Sequence, residues 1–323
     1  MACVRTGSLK PLVGNFEADA GHVMCLGIYD GHGGKGVAEL LKTKLHQEIL
    51  KRECIPEATK VDKPASEEGK APLVEEGKYE PEKTDRGQES CDTFSENAIK
   101  EAYRAIDGLS RVEHRFCGST AINLFITNLP DGSRRVRCAW AGDSRAATFH
   151  RKSYKSFREL SSDHNLDRED EKERVMKHGK TLGGAVVARR RNRAGEPVGP
   201  FAVFSDHPDT NNLSLMMTRS IGDAMHSKAV IPDPEFKEFI VAKDEHVRII
   251  MASDGLWRVV DYKTARKMLK SAPNPIRAAN RLAIESVWRT QRKTHMKLDD
   301  VTVVVVDIVG SDSAMNETEK ARP

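Results

Sequence analysis

Strand-like apolar runs in this 323-residue chain end repeatedly on an aspartate that adjoins a glycine or a second aspartate. His22–Tyr29 (HVMCLGIY) runs into Asp30-Gly31, Arg135–Ala141 into Gly142-Asp143, and His246–Ala252 is followed by Asp254-Gly255. Asp299-Asp300 opens the last run, Val301–Val309. One aspartate in such a place is usually a turn former or a helix N-cap, because its short carboxylate accepts from nearby backbone N–H groups. Four such places in one chain point to a carboxylate cluster at one edge of a sheet sandwich. A ligand set made only of oxygens suits Mg²⁺ or Mn²⁺ rather than zinc.

The remaining pattern fits that picture. Val37, Leu40, Leu41, Leu45 and Ile49 recur at helical spacing and predict a helix over Lys35–Leu50. Phe94, Ala98, Ala102, Ile106 and Leu109 predict a second. Strands are expected at Ser119–Thr127, Arg135–Ala141 and Arg145–His150, and again at Leu213–Met217, Phe236–Val241 and His246–Ala252. Helices are expected at about Asp167–His178, Tyr262–Lys270 and Pro275–Thr294. Strands come in groups and helices in pairs, which is an α+β arrangement of stacked antiparallel sheets, not βαβ alternation. The expected organisation is one domain over residues 1–310 with a polar tail at 311–323. Residues 53–90, rich in Lys, Glu and Pro, read as a charged mobile insertion. Residues 181–212, which carry Arg189, Arg190, Arg191 and Arg193, read as an irregular segment.

Composition narrows the function classes. Net charge is only +4 (52 basic against 48 acidic residues), too mild to argue for nucleic acid. No apolar run approaches the ~18 residues of a membrane helix, and Met1–Leu12 holds no apolar stretch of the signal-peptide kind. The six cysteines (Cys3, Cys25, Cys54, Cys91, Cys117, Cys138) include no C-x-x-C pair, as expected of reduced thiols in a cytosolic or nuclear protein.

The turn Asp30-Gly31-His32-Gly33-Gly34-Lys35-Gly36 admits two readings. Gly31, Gly33 and Gly36 formally satisfy the dinucleotide fingerprint G-x-G-x-x-G. That fold needs a second strand after the helix, ending in an acid, and here the helix runs into the charged segment instead. Lys35 is also misplaced for a phosphate-cradling G-x-x-x-x-G-K-[ST] loop. The better reading is a metal and proton site: the Asp30 carboxylate and Gly31 carbonyl can hold a hard cation, and His32 can donate a proton.

Gly27–Gly34 (GIYDGHGG), Gly118–Ile122 (GSTAI), Ala141–Ala146 (AGDSRA), Asp163-His164, Leu215–Asp223 (LMMTRSIGD), Ile231–Glu235 (IPDPE), Ala252–Trp257 (ASDGLW) and Asp299–Val305 together resemble the metal-dependent protein serine/threonine phosphatases of type 2C. The resemblance implies an αββα sandwich with a metal centre at the sheet edges, and places residues 181–212 in or near a variable flap beside that cleft. It implies that Asp30 bridges two metals and that Gly31 offers its carbonyl to the second. Asp254 and Asp299 would complete the first metal, Asp143 would serve a third ion, and His32 would protonate the leaving alkoxide. The substrate implied is a phosphoserine or phosphothreonine protein.

The match departs from the family pattern where it matters most. Arg5 takes the place of the phosphate arginine, but Leu9 replaces the glutamate of the second metal and Lys10 the aspartate that supports it. Glu17 and Asp19 fall in the expected turn, too close to Asp30 to rescue the site. Arg258 replaces an aspartate near the third ion, and Trp140 an asparagine. Relative to the family, these changes add five positive units, one at Leu9 and two each at Lys10 and Arg258. Two like charges ~4 Å apart at an effective dielectric of ~20 repel by about 4 kcal/mol, and a dication facing Lys10 meets about twice that. The expectation is a catalytically impaired pseudophosphatase with at most one well-bound Mg²⁺ or Mn²⁺, or none. Arg5, Lys10 and Arg258 would then hold a phosphate-bearing ligand, a phosphopeptide or a nucleotide. An active phosphatase is the first alternative. A scaffold that holds a partner protein through the flap or the insertion is the second.

Overall fold

The computed structural model describes residues 2–6, 12–17, 23–53, 94–150, 157–182, 187–205, 213–226, 229–293 and 299–309. In chain order the elements are β1 (Ala2–Thr6), β2 (Leu12–Glu17), β3 (Val23–Tyr29), β4 (Gly31–His32), α1 (Gly36–Glu53), α2 (Glu96–Glu113), β5 (Gly118–Ser119) and β6 (Ala121–Asn128). They continue with β7 (Arg134–Ala141), β8 (Arg145–His150), β9 (Phe157–Glu159), α3 (Glu169–Leu182), β10 (Val187–Arg191), β11 (Pro197–Phe204), β12 (Ser214–Leu215) and β13 (Ile221–Gly222). The last are β14 (Glu235–Val241), β15 (His246–Ala252), α4 (Asp254–Trp257), α5 (Tyr262–Ser271), α6 (Pro275–Lys293) and β16 (Val301–Val309).

Two five-stranded antiparallel sheets, β1-β16-β15-β8-β9 and β14-β7-β6-β3-β2, stack face to face. Side-chain alternation along each strand decides what each face covers. In β6, Ile122, Leu124 and Ile126 face the other sheet, while Ala121 and Phe125 face α1 and α2. In β16, Val304, Val306 and Ile308 point between the sheets, while Val301, Val303 and Val305 pack under α4, α5 and α6. Strands buried on both faces explain why these runs are almost continuously apolar. Each fully buried Val, Leu or Ile is worth about 1.5–3 kcal/mol over exposure. The expected sandwich with flanking helix pairs is what the chain builds.

α1 buries Val37, Leu40, Leu41, Leu45 and Ile49, the set its spacing predicts. α2 starts two residues after the beginning of its apolar pattern, at Glu96, because the Ser95 hydroxyl accepts from the Ala98 amide and caps it. Phe94 lies outside the helix, buried in the same cluster as Ile99, as in a hydrophobic staple.

Residues 181–212 are not irregular where they are described. β10 and β11 form an antiparallel hairpin, extended by β12, with a register shift between Arg189 and Arg190. Its turn is set by Asn192, whose side-chain oxygen accepts from the Ala194 and Glu196 amides, and by Gly195 at φ +82°. Four arginines on one side and Pro197, Gly199 and Pro200 on the other hide the strand pattern. Glu17 is also placed differently from expectation: it ends β2 opposite Met24, at the far end of β3 from Asp30. Leu9, Lys10, Asp19, most of the charged segment (54–93) and the tail (310–323) lie outside the described residues.

Candidate metal and phosphate centre

The sandwich brings one edge of each sheet together. Asp30 follows β3, Asp143 sits in the β7–β8 turn, Asp254 opens α4 after β15, and Asp299 and Asp300 precede β16. Ala252 pairs with both Arg145 and Val303, and Ala121 with Ala141, so the flanking ends converge. Hydrogen bonds hold the convergence. The Asp30 amide donates to the Thr120 hydroxyl (3.3 Å), the Thr120 amide to the Asp30 carbonyl (2.9 Å), and the Thr120 and Ser144 hydroxyls bond each other (3.0 Å). Ser253 ties the other side, donating from its hydroxyl to the Asp300 carbonyl and accepting from the Thr302 amide. Gly255 packs so tightly on the Asp300 carbonyl that an added Cβ would lie 2.3 Å from its oxygen. Tyr29, just before Asp30, is held by the Asn123 amide (2.8 Å), and Asn123 in turn accepts from the Tyr103 hydroxyl (2.7 Å).

Crowding among these acids shows in their proton affinity. Burial, and then Asp254, Asp143, Asp299 and Asp300, hold Asp30 well above the usual carboxylate range. Burial and Asp254 push Asp143 up to about 7. Asp254 is also raised by burial, against the pull of Arg258, and its carboxyl hydrogen-bonds that of Asp30. Buried carboxylates that repel one another call for a cation. The donor set therefore fits a hard divalent ion in kind: oxygen atoms only, from several carboxylates.

The chain supplies part of that positive charge itself. Arg258 lies four residues after Asp254, so one helical turn carries its guanidinium back over the carboxylate. Nη2 lies 2.5 Å from Asp254 Oδ2, and Nη1 lies 2.6 Å from Asp299 Oδ2. Arg258, expected as an anion contact, directs its charge at Asp254 and Asp299, the two residues that the resemblance assigns to the first metal. Asp254, 16% exposed, is the more enclosed partner, and Arg258 remains half exposed.

His32, in β4, is held by Asp223, whose two carboxylate oxygens lie 2.9 and 2.8 Å from Nε2. Burial disfavours the imidazolium, but Asp223 outweighs it and raises the His32 pKa above its ordinary value. The Ser220 hydroxyl also donates to Asp223, which sits at φ +50°, rare for a residue with a side chain. Sequence reasoning gave Asp223 no role. Gly222-Asp223 repeats the glycine–aspartate pairing of Gly142-Asp143, and that was the available signal. Gly118 completes the arrangement: a Cβ there would lie 2.1 Å from Asp223 Oδ2 and 2.4 Å from His32 Nε2.

The other quoted stretches frame the cleft. Asp163 forms a two-pronged ion pair with Arg145 (2.5 and 2.6 Å). Glu235 pairs with Arg168 and Arg219. Asp170, Glu171 and Glu235 converge closely enough to hold an ion, but Arg168, Arg174 and Arg219 already neutralise them. Trp140 is a core residue, stacked on His164 and donating from Nε1 to the Ser162 carbonyl (2.7 Å). Gly31 pairs with Ser119 in the small sheet β13-β5-β4, and Arg5 stands opposite Thr302 on β1. A cavity of about 440 Å³ opens beside the acids, between Asp143, Asp254 and Arg258 on one side and Phe201 and Met216 on the other.

Comparison with known proteins shows a family and a fold. The family described as "Protein phosphatase 2C" matches residues 9–294. The chain is 28% identical over 290 residues to Probable protein phosphatase 2C 45 of Oryza sativa subsp. japonica, covering 87% of this chain and 75% of the relative. It is 27% identical over 305 residues to Probable protein phosphatase 2C 7 of the same organism, covering 93% of this chain but only 62% of that relative. The solved serine-threonine phosphatase 2C from Toxoplasma gondii superposes with a TM-score of 0.60 at 16% identity, over 94% of this chain and 98% of that one. A C. elegans sex determining protein superposes with a TM-score of 0.63 at 15% identity, over 98% of this chain and 66% of that one. At such identities the structural likeness concerns the fold.

Proposed function

The chain belongs to the protein phosphatase 2C family, and from that premise we propose that it is a phosphatase-like protein that receives phosphate-bearing polypeptides while its hydrolytic turnover is suppressed. The observation that carries this reading is the double ion pair of Arg258 with Asp254 and Asp299. Family activity depends in general on Mg²⁺ or Mn²⁺ and acts on phosphoproteins. Asp30, Asp143, Asp254 and Asp299 are the residues that would hold such an ion. When bound, the ion supplies an acidic water and compensates phosphoryl-oxygen charge.

Here Arg258 competes for that place. A dication ~4 Å from a guanidinium at an effective dielectric of ~20 is repelled by about 8 kcal/mol, and freeing the carboxylates breaks two ion pairs. By the resemblance, Leu9 would bring no ligand where the family has a glutamate, and Lys10 would add a second cation. The remaining groups favour an anion: His32, whose protonated form is favoured by Asp223, can donate to a phosphate ester oxygen, with Arg5 and Lys10 as the further candidate contacts.

The second reading, an active phosphatase, is favoured by one observation: the His32–Asp223 pair is intact and poised to donate a proton. Hydrolysis of a phosphoserine peptide and of an aryl phosphate, measured with and without millimolar Mn²⁺, separates the two. The expected result is no turnover above an Asp30→Asn control, together with thermal stabilisation by the phosphoserine peptide in the absence of metal. Manganese-dependent turnover that disappears in Asp30→Asn overturns the proposal in favour of the active enzyme.

A further inference from the structure

Among the described residues, the buried and half-buried arginines around the cleft and core, Arg145, Arg168, Arg174, Arg219 and Arg248, are each matched to a carboxylate. The exposed arginines of the β10–β11 hairpin are not: among the described residues no carboxylate lies within ion-pair distance of Arg189, Arg190, Arg191 or Arg193. Three of them rest on neutral acceptors. Arg189 Nε donates to the Gly199 carbonyl (2.6 Å), Arg190 Nε to the Ser214 hydroxyl (3.0 Å) and Arg191 Nη1 to the Gly195 carbonyl (2.5 Å). These bonds fix the side chains without cancelling their charge.

The position of the hairpin is the second observation. β10 is an edge of the small sheet β10-β11-β12, so one row of its backbone groups is unpaired within that sheet. Across the hairpin Arg189 pairs with Phe201, and Phe201, half exposed, lines the cavity that reaches Asp143, Asp254 and Arg258. Arg189, at one end of the arginine run, therefore adjoins a residue that lines the cleft.

We propose that this hairpin is a docking strip for an extended, acidic segment of a phosphate-bearing polypeptide, laid along the edge of β10 over Arg189–Arg193 and led past Phe201 into the cleft. The proposal rests on the reading that the cleft receives phosphate-bearing polypeptides. An extended peptide can pair with an edge strand through its backbone and present a carboxylate every ~7 Å on one face. A nucleic acid fits worse: its backbone has no row of N–H and C=O groups to pair with the edge of β10. A peptide can pair there, place its acids over the arginines and keep neutral residues beside Asp167.

The test uses the full chain and four fluorescent peptides, with phosphoserine or serine at the centre and either glutamate-rich or neutral flanks, read by anisotropy at two salt concentrations. The glutamate-flanked phosphopeptide is expected to bind at least tenfold tighter than the neutral-flanked one, with the advantage shrinking at high salt. Changing Arg189, Arg190, Arg191 and Arg193 together to Gln should remove the advantage and leave neutral-flanked binding unchanged. Arg193→Glu alone, whose native side chain makes no described bond that folding needs, should reduce it severalfold. Equal affinity for both flanks, or an advantage that survives in both variants, overturns the docking strip. Equal affinity for phosphoserine and serine peptides overturns the cleft reading instead. Tighter binding of a DNA duplex or of phosphatidylserine vesicles than of the acidic peptide at the same salt also overturns the strip.

Discussion

Gly118 shows how narrowly the site is drawn. A single methyl group at this position would overlap both Asp223 and His32, so the pair must part or the β5 backbone must move. Gly118→Ala is expected to cost about 1–3 kcal/mol in urea denaturation and to shift the His32 imidazole resonances; an unchanged spectrum would show that the pair does not depend on this contact. The aspartates were legible in the sequence, because an acid after an apolar run is visible without a structure. Asp223 was less so, since its role depends on a left-handed backbone and on His32, 191 residues away. Arg258 was legible as a departure, but its ion pair with Asp254, one helical turn back, was not drawn from the sequence. The reach to Asp299 could not be read, because only folding brings the β16 end beside α4.

Elements whose sides are both covered announced themselves: β6, β15 and β16 are apolar runs, and α1 and α5 carry clean helical spacing. The β10–β11 hairpin did not, since its outward face holds arginines and its turn depends on Asn192 and Gly195. The neighbouring network around α3 is equally silent in the sequence. Glu171, nearly inaccessible, receives Arg219, Arg174 and the Thr218 hydroxyl, which outweigh the burial that opposes its charge and draw its pKa down to about 2. Its folded pKa lies below the unfolded value, so the stabilisation is full above about pH 4.5 and is lost as pH falls toward about 2. The contribution is about 3 kcal/mol at neutral pH. Stability measured between pH 6 and pH 2 should therefore fall less steeply in Glu171→Gln than in the wild type; parallel profiles would contradict this role.

At the scale of the molecule, the four-layer sandwich places the ends of β3, β7, β15 and β16 at one rim, and the acids follow from that topology. The charged segment between α1 and α2 leaves and re-enters at neighbouring points, since the Ser95 amide donates to Glu53 Oε1. Replacing residues 55–92 by a short Gly-Ser loop should hold or slightly raise the melting temperature, since each halving of a loop saves only about 0.6 kcal/mol; a drop of many degrees would mean that the segment packs on the fold. Charge at the rim, where one arginine stands between two acids, sets how firmly a metal ion can be held there. Calorimetric titration of Mn²⁺ into the wild type and into Arg258→Asp tests it most directly. At most one weakly held ion is predicted for the wild type, with affinity rising at least about tenfold in the variant. Two tightly bound ions in the wild type, with no gain in Arg258→Asp, would contradict it.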